Sequence, residues 1–207
     1  MLDVLLSRKA WVAALLDAVQ AKQISPGEID TSHRYRLTRY ADPELQQRAT
    51  EYLLQGSSDE RAAIVNRYLK SLPLGDAIRG KAIFEKHCAA CHVFQGIGNP
   101  VGPDIAGLKD KSNSALVREI LDPNRAIDQR YAEYLAITAD GRAKNGILVE
   151  ETSHSITLLG QQGEHLILLR SELESLTSSG KSLMPDGFEN QVSLQDMADL
   201  IRFLSTP

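Results

Sequence analysis

The stretch that decides the fold is Cys88-Ala89-Ala90-Cys91-His92. Two thiols three positions apart can both reach the vinyl groups along one edge of a porphyrin. A histidine directly after the second cysteine is then placed under the iron, where a neutral imidazole is a good axial ligand. The pattern therefore predicts one covalently bound c-type haem, attached through Cys88 and Cys91 and ligated by His92.

Two other kinds of site use a Cys-x-x-Cys pair. A zinc site could add His87 and His92 as ligands. The chain has only 2 cysteines, so a zinc site with three or four cysteine ligands is impossible, and a site of two cysteines and two histidines would crowd every ligand into one short segment. A thioredoxin-like redox pair normally accompanies a βαβ pattern, which does not precede this motif. Haem attachment is therefore the favoured interpretation.

The sequence around the motif resembles class I cytochrome c. Gly80 and Phe84 lie four positions apart on one face of the preceding helix, as in the first helix of that family. The segment from Asn99 to Leu108 resembles the family's Gly-Pro-x-Leu-x-Gly loop, with Ile105 where leucine is usual. Ser182-Leu183-Met184-Pro185, followed by a last helix, resembles the loop that supplies a methionine ligand.

The resemblance implies roles for five residues. Phe84 and Ile105 would contact the haem, and the Pro103 carbonyl would accept a hydrogen bond from the ring N–H of His92. Met184 would be the second axial ligand, although it lies 92 positions beyond His92 (184 − 92), further than is usual in compact family members. A haem iron held between imidazole and thioether is suited to electron transfer, because it has no open coordination position.

Three polar residues are expected near the haem propionates, namely Arg125, Tyr131 and Tyr134, because the forked donors of an arginine suit carboxylates. The alternative has equal weight: Arg125 would cap the helix that ends near Leu121, and the tyrosines would pack against a sheet. A small, partly apolar surface at the haem edge is expected to pass electrons, and its candidates are Ala89, Ala90, Val93, Phe94, Ile97 and Pro100.

A narrower resemblance covers the region from about Gly75 to Leu204. It is similar to the haem-binding domain at the C-terminus of large planctomycete and verrucomicrobial dehydrogenase-like proteins. The segments that carry this resemblance, in order, are Cys-Ala-Ala-Cys-His-Val, Gly-Pro-Asp-Ile-Ala-Gly-Leu, Asp122-Pro123-Asn124, Asp140-Gly141-Arg142, Leu148-Val149-Glu150-Glu151-Thr152, Ser182-Leu183-Met184-Pro185 and Asp196-Met197-Ala198-Asp199-Leu200. The redox partner implied is a dehydrogenase or another cytochrome.

The apolar periodicity predicts two regions. Residues 1–73 are predicted to be helical; they resemble a HEAT-like repeat fragment, and the alternative is a plain helical bundle that extends the cytochrome core. Residues 74–207 are predicted to form a class I cytochrome c domain with a β insert at about 131–178. The fold class expected is mainly α with a small inserted antiparallel sheet. The insert's four predicted strands run from Glu133 to Thr138, Ala143 to Glu150, Ser155 to Leu159 and His165 to Leu169.

Composition limits the partners and the location. The net charge is −4 and no basic run occurs, so nucleic acid is not expected. No apolar run approaches the ~20 residues of a membrane span, and the N-terminus does not look like a signal peptide. Because haem attachment to this motif is periplasmic, we expect a periplasmic protein whose export signal or upstream region is missing from this chain. The apolar stripe of Trp11, Leu15 and Leu16 would suit a homodimer.

Three hypotheses of function remain. The preferred one is an electron carrier rather than an enzyme, either separate from or a module of a larger oxidoreductase. The second is a haem-based ligand sensor or peroxidase-like protein, in which Met184 is absent from the iron or labile. The third is an interaction protein that docks partners through the helical region and the insert.

Overall fold

The computed structural model of this protein describes residues 2–21, 23–24, 26, 29, 31–54 and 58–206. The helices in this part of the chain are α1 (Leu2–Leu5), α2 (Lys9–Gln20), α3 (Thr31–Leu37), α4 (Pro43–Leu54), α5 (Ser58–Ser71), α6 (Ala77–His87), α7 (Asn113–Leu121) and α8 (Leu194–Leu204). The strands are β1 (Ala132–Thr138), β2 (Ala143–Glu151), β3 (Ser155–Leu159), β4 (His165–Leu169) and β5 (Leu173–Ser182).

Helices α1 to α4 share a hydrophobic cluster of their own. Apolar residues recur along α2 with helical spacing, so one face of that helix is buried. The cluster consists of Leu6, Val12, Leu15, Leu16, Val19, Ile29, Leu37, Leu45, Ala49 and Leu53. Leu15 and Leu16 are therefore buried within the chain. Trp11 is 36% exposed and lies under the Arg8 guanidinium. Homodimerisation through this stripe stays a prediction.

The next helix, α5, belongs to a different cluster, which we call the helical core. Its Val65 and Tyr68 pack with residues of α6, α7 and α8. The members of the helical core are Val65, Tyr68, Phe84, Phe94, Leu116, Val117, Leu121, Met197, Leu200, Ile201, Phe203 and Leu204. Met197 is fully buried there, as its place on an apolar stripe predicts.

Helices α6 and α8 approach each other closely at a glycine. A Cβ atom added to Gly80 would lie 2.0 Å from the carbonyl oxygen of Asp199, so no other side chain fits without a shift. The Asp199 carboxylate also joins the two helices, because it accepts hydrogen bonds from the Asp76 amide at 2.7 Å and from Arg79 Nε at 2.6 Å. The hydrogen bond from Arg79 is the main cause that lowers the pKa of Asp199 to about 2.

The five strands form one antiparallel sheet in the order β4-β3-β2-β1-β5. Strands β1 to β4 are consecutive neighbours, as expected for a meander with short turns. Strand β5 then returns to the other edge of β1, so that Ala132 at the start of β1 pairs with Ser182 at the end of β5. The chain therefore enters and leaves the sheet at neighbouring positions.

The two faces of the sheet bury different clusters, because successive side chains point to opposite faces. One face carries Ala136, Ile156, Leu158 and Leu168, which form a small core with Tyr134 and other partly buried residues. The other face carries Ile147 and Leu159, which pack with Val101, Leu183, Tyr131 and Cys91. The second face thus covers the chain around the second cysteine of the motif.

The expectation of a mainly α fold with a small inserted sheet is wrong. A little under half of the described residues are helical and about a fifth lie in strands of a five-stranded antiparallel sheet. The difference comes from β5, a ten-residue strand that had not been foreseen. Leu173 and Leu176 are its only large apolar residues, so its pairing with β1, and not its own pattern, determines its conformation.

Candidate haem site

The motif folds as a turn that continues α6. The Cys88 amide donates to the Phe84 carbonyl at 2.8 Å, and this bond closes the last turn of the helix. The amides of Cys91 and His92 then both donate to the Cys88 carbonyl, at 3.0 and 2.9 Å. These bonds hold two cysteines and one histidine on a single turn of backbone, as attachment of both thiols to one porphyrin edge requires.

Cys88 and Cys91 are not joined by a disulfide. Burial raises the pKa of Cys88 to about 12, with a smaller contribution from Cys91. Burial, followed by the charge of Glu164, also raises the pKa of Cys91. Neither thiol is therefore ionised near neutral pH, which is unlike the low-pKa thiol of a thioredoxin-type redox pair.

The His92 ring is fixed by the loop that follows the motif. Its Nδ1 lies 2.8 Å from the Pro103 carbonyl oxygen, the hydrogen bond that the resemblance to class I cytochrome c implies. A carbonyl can only accept, so Nδ1 carries the proton and Nε2 carries the free lone pair. Burial lowers the pKa of His92, which keeps the imidazole neutral and the lone pair available.

Gly102 allows the loop to pass directly over this ring. A Cβ atom at Gly102 would lie 2.6 Å from His92 Cε1 and 3.0 Å from Nδ1. The ring, the glycine and the Pro103 carbonyl therefore leave one orientation for the imidazole. Two thiols on one turn and a neutral imidazole with a free Nε2 fit a c-type haem.

The arrangement of these residues does not fit a zinc site. In the part of the chain that the structure describes, no group of three or more His, Cys, Asp or Glu side chains is placed to hold a metal ion. The ring of His87, which such a site would need, packs edge-on against Phe188 with 5.5 Å between the centroids.

The turn between β3 and β4 lies against the motif. Gln161 contributes twice: its carbonyl oxygen accepts a hydrogen bond from Cys91 Sγ at 3.2 Å, and its side-chain amide donates to the Leu183 carbonyl at 3.2 Å. Val101, next to Gly102, is buried under the same part of the sheet. The insert thus connects the motif with the residue that precedes Met184.

Met184 belongs to a segment that we call the distal loop, residues 183–190. The loop begins directly after β5 and ends in a short 3-10 turn, Phe188–Asn190. Asn124 holds its first half, because its side-chain oxygen accepts from the Ser182 amide at 2.8 Å and its side-chain nitrogen donates to Asp186 at 2.7 Å. The Met184 amide itself donates to Ser182 Oγ at 3.1 Å.

Some of the other residues predicted for the site lie near the motif, and others lie away from it. Tyr131 packs in the cluster that Cys91 contacts, and Ile105 begins a 3-10 turn whose amide donates to the Val93 carbonyl. Tyr134 lies on the opposite face of the sheet. The Arg125 guanidinium forms an ion pair with Glu119 at 3.1 Å on the surface of α7.

Phe84 is buried in the helical core rather than at the surface. Its ring lies 6.1 Å from that of Phe94 and 5.7 Å from that of Phe203. Phe94 is itself 1% exposed, so it cannot frame a docking surface. Of the other residues predicted for the electron-transfer surface, Ala90 and Pro100 are exposed, and Ala89, Val93 and Ile97 are half-buried.

The comparison with known families agrees with this geometry. Residues 77–148 match the family model for Cytochrome c. This range begins at the first residue of α6 and includes the haem motif, the Pro103 loop and α7, so this part of the chain is similar to a cytochrome c domain. The domain supports a haem-containing electron-transfer protein with covalently bound haem c. No curated protein matches the chain.

None of the described helices is long and apolar enough to cross a membrane. Domains of the cytochrome c family are typically extracytoplasmic. The narrower resemblance to dehydrogenase-fused domains, the distal ligand and the redox partner remain predictions.

Three residues that hold the site were not predicted from the sequence. Asn124 binds the Ser182 amide and the Asp186 carboxylate, Gln161 binds the Leu183 carbonyl, and Arg61 reaches Glu189 from α5. Asn124 lies in the Asp-Pro-Asn segment noted for the narrower resemblance, which was the only available signal. The partners of Arg61 and Gln161 are distant in sequence and leave no local pattern.

Proposed function

We propose that this chain is a mono-haem c-type cytochrome that carries electrons, taking them from a dehydrogenase or another cytochrome in the periplasm. In this proposal Cys88 and Cys91 would attach the haem, and His92 and Met184 would hold its iron. The observation that carries the proposal is the attachment of the distal loop at both of its ends, to Asn124 and to Arg61. A loop held in this way suits a permanent ligand better than a labile one.

The chain's own residues would prepare the site for small structural change. The bound haem would supply a one-electron iron couple. Pro103 holds the His92 ring through Nδ1 and makes Nε2 a better donor. Met184 would contribute a thioether, whose softness favours Fe(II) and raises the reduction potential relative to a second histidine. Because hydrogen bonds and the Arg61–Glu189 ion pair restrain the two ligand segments, neither segment would have to move when an electron arrives or leaves.

The sheet would restrict access to one side of the site. Ile147 and Leu159 pack with Val101 and Cys91. A Cys91 thioether would have no S–H to donate to the Gln161 carbonyl, so the Gln161 turn would be held here by the bond from its side-chain amide to the Leu183 carbonyl. The exposed Ala90 and Pro100 then remain as the surface at which a small, short-lived redox complex would form.

The test is a visible and near-infrared spectrum of the haem-loaded protein in both oxidation states. The proposal expects the weak far-red Met–Fe(III) band in the oxidised protein and slow binding of CO to the reduced protein. Met184→Ala should abolish the band, lower the reduction potential and allow fast CO binding. A high-spin wild-type spectrum with fast CO binding would instead favour the ligand-sensing alternative.

A further inference from the structure

Arg61, on α5, joins parts of the chain that are far apart in sequence. Its Nη1 and Nη2 donate to the two carboxylate oxygens of Glu189 at 2.7 and 2.9 Å. Its Nε donates to the Leu121 carbonyl, at the end of α7, at 2.9 Å, and Nη2 also bonds this carbonyl. A planar guanidinium presents these donors in a fixed fork, so the four bonds define the position of Glu189 relative to α5 and α7.

This ion pair is shielded from solvent. The Arg61 side chain is 16% exposed and the Glu189 side chain is 6% exposed. Burial alone would lower the pKa of Arg61, but the hydrogen bond and the charge of Glu189 outweigh it and raise that pKa. The Arg61 guanidinium is therefore charged at neutral pH. Removal of Glu189 would leave this buried charge without its partner, and removal of Arg61 would leave the buried Glu189 carboxyl without its donors.

Two further contacts from the helical core support the same end of the distal loop. The Tyr68 hydroxyl donates to the Glu189 carbonyl at 3.5 Å. The His87 ring packs against Phe188, the residue before Glu189. Glu189 lies five positions beyond Met184, and Asn124 holds the other end of the loop. Met184 thus lies between two points of attachment, Asn124 on one side and Arg61 of α5 on the other.

We propose that Arg61 is a positioning residue for the distal haem ligand: through Glu189 it restrains the loop that keeps Met184 on the iron. This inference rests on the proposed function, since it takes Met184 as the axial ligand. Arg61 and Glu189 both lie outside residues 77–148, the part that matches cytochrome c. Helix α5 then helps to position the Met184 ligand, and any displacement of α5 would change the reduction potential of the haem.

The experiment uses the full, haem-loaded chain with Arg61→Ala. We expect the Met–Fe(III) band to weaken, the reduction potential to fall and the rate of CO binding to rise about tenfold or more, because loss of one partner of a buried ion pair is worth more than a factor of ten in an equilibrium. Arg61→Lys keeps the charge but not the fork, so its CO rate should lie between those of the wild type and Arg61→Ala.

A matched control and a double variant separate this role from a structural one. Arg48→Ala removes an arginine–aspartate pair between α4 and α2, with Asp17 as the partner, and should leave the band and the CO rate unchanged. In a Met184→Ala background, Arg61→Ala should add no further change in CO rate or potential, because both changes act through the same ligand.

Several results would overturn the inference. A folded Arg61→Ala protein with the wild-type band and CO rate would do so, as would an additive effect in the Met184→Ala background. If Arg61→Ala does not fold, Glu189→Gln is judged by the same two readouts, because it keeps the volume of the side chain and removes the charge. A wild-type protein without the band would refute the proposed function first, and the inference with it.

Discussion

Substitution of Gly80 by alanine should destabilise the protein through the contact between α6 and α8. The new Cβ atom would lie 2.0 Å from the Asp199 carbonyl oxygen and 2.8 Å from Phe203 Cβ, whereas real Cβ contacts essentially never fall below 3.0 Å. The helices must therefore separate by at least 1.0 Å at this point, the difference between 2.0 and 3.0 Å. Such a movement also disturbs the backbone that carries the Asp199 carboxylate.

The expected cost follows from two opposing effects. Alanine is a better helix former than glycine by up to about 1 kcal/mol. Overpacking of a well-packed contact costs about 1–3 kcal/mol, and the neighbour here is backbone, which cannot rotate away. We expect a net loss of about 2 kcal/mol in the free energy of unfolding. For a chain of this size that loss lowers the melting temperature by roughly 4–8 °C.

The assay is chemical and thermal unfolding of the haem-loaded protein, followed by circular dichroism. Gly107→Ala is the matched control, since a Cβ there meets no atom within 4 Å, and it should change the free energy of unfolding by less than about 0.5 kcal/mol. If Gly80→Ala were as stable as the wild type, or if both alanine variants lost the same amount, the close approach of α6 and α8 would not be the cause.

Three other predictions concern the motif and the helix junction. Gly102→Ala should tilt the His92 ring, because its Cβ would lie 2.6 Å from Cε1, and should lower the reduction potential measured by titration. Cys88→Ala or Cys91→Ala should prevent correct maturation, and acid–acetone should not extract haem from the wild type; full extraction would contradict covalent attachment. The pKa of Asp199 is lowered from 3.8 to about 2, so its stabilising effect is complete above about pH 4 and is lost as pH falls through 2. Asp199→Asn should therefore flatten the pH dependence of guanidinium unfolding between these values, and an unchanged dependence would refute its role.

Local patterns were sufficient for much of this fold. Strands β1 to β4 were predicted within a residue or two at each end, because alternating apolar residues are separated by turn residues such as Asp140-Gly141. The final helix was predicted from its apolar stripe and from Ser193, which forms a capping box with Asp196. In each case the signal lies within a few residues of the feature that it predicts.

Features that depend on distant partners were missed. Strand β5 is largely polar, and it is a strand because β1 offers it a free edge. The ion pair between Arg61 and Glu189 spans 128 positions, and neither residue stands in a recognisable motif. The placement of Arg125 and Tyr134 beside the haem propionates stays a prediction. It came from residue type alone, and residue type does not specify on which face of a sheet or helix a side chain lies.

Because Ala132 pairs with Ser182, the first and last residues of the sheet lie next to each other. The chain leaves the helical part after α7 and returns to it before α8 through these two adjacent strand ends. The sheet between them can therefore be longer or shorter without altering the distance between the two ends. Insertion of such a unit costs little in loop-closure entropy, which grows only with the logarithm of loop length. A large separation in sequence between His92 and Met184 is therefore compatible with the same separation in space that a shorter chain would give. In this architecture an inserted sheet can add a surface next to the Cys-x-x-Cys-His motif without changing the residues of the motif.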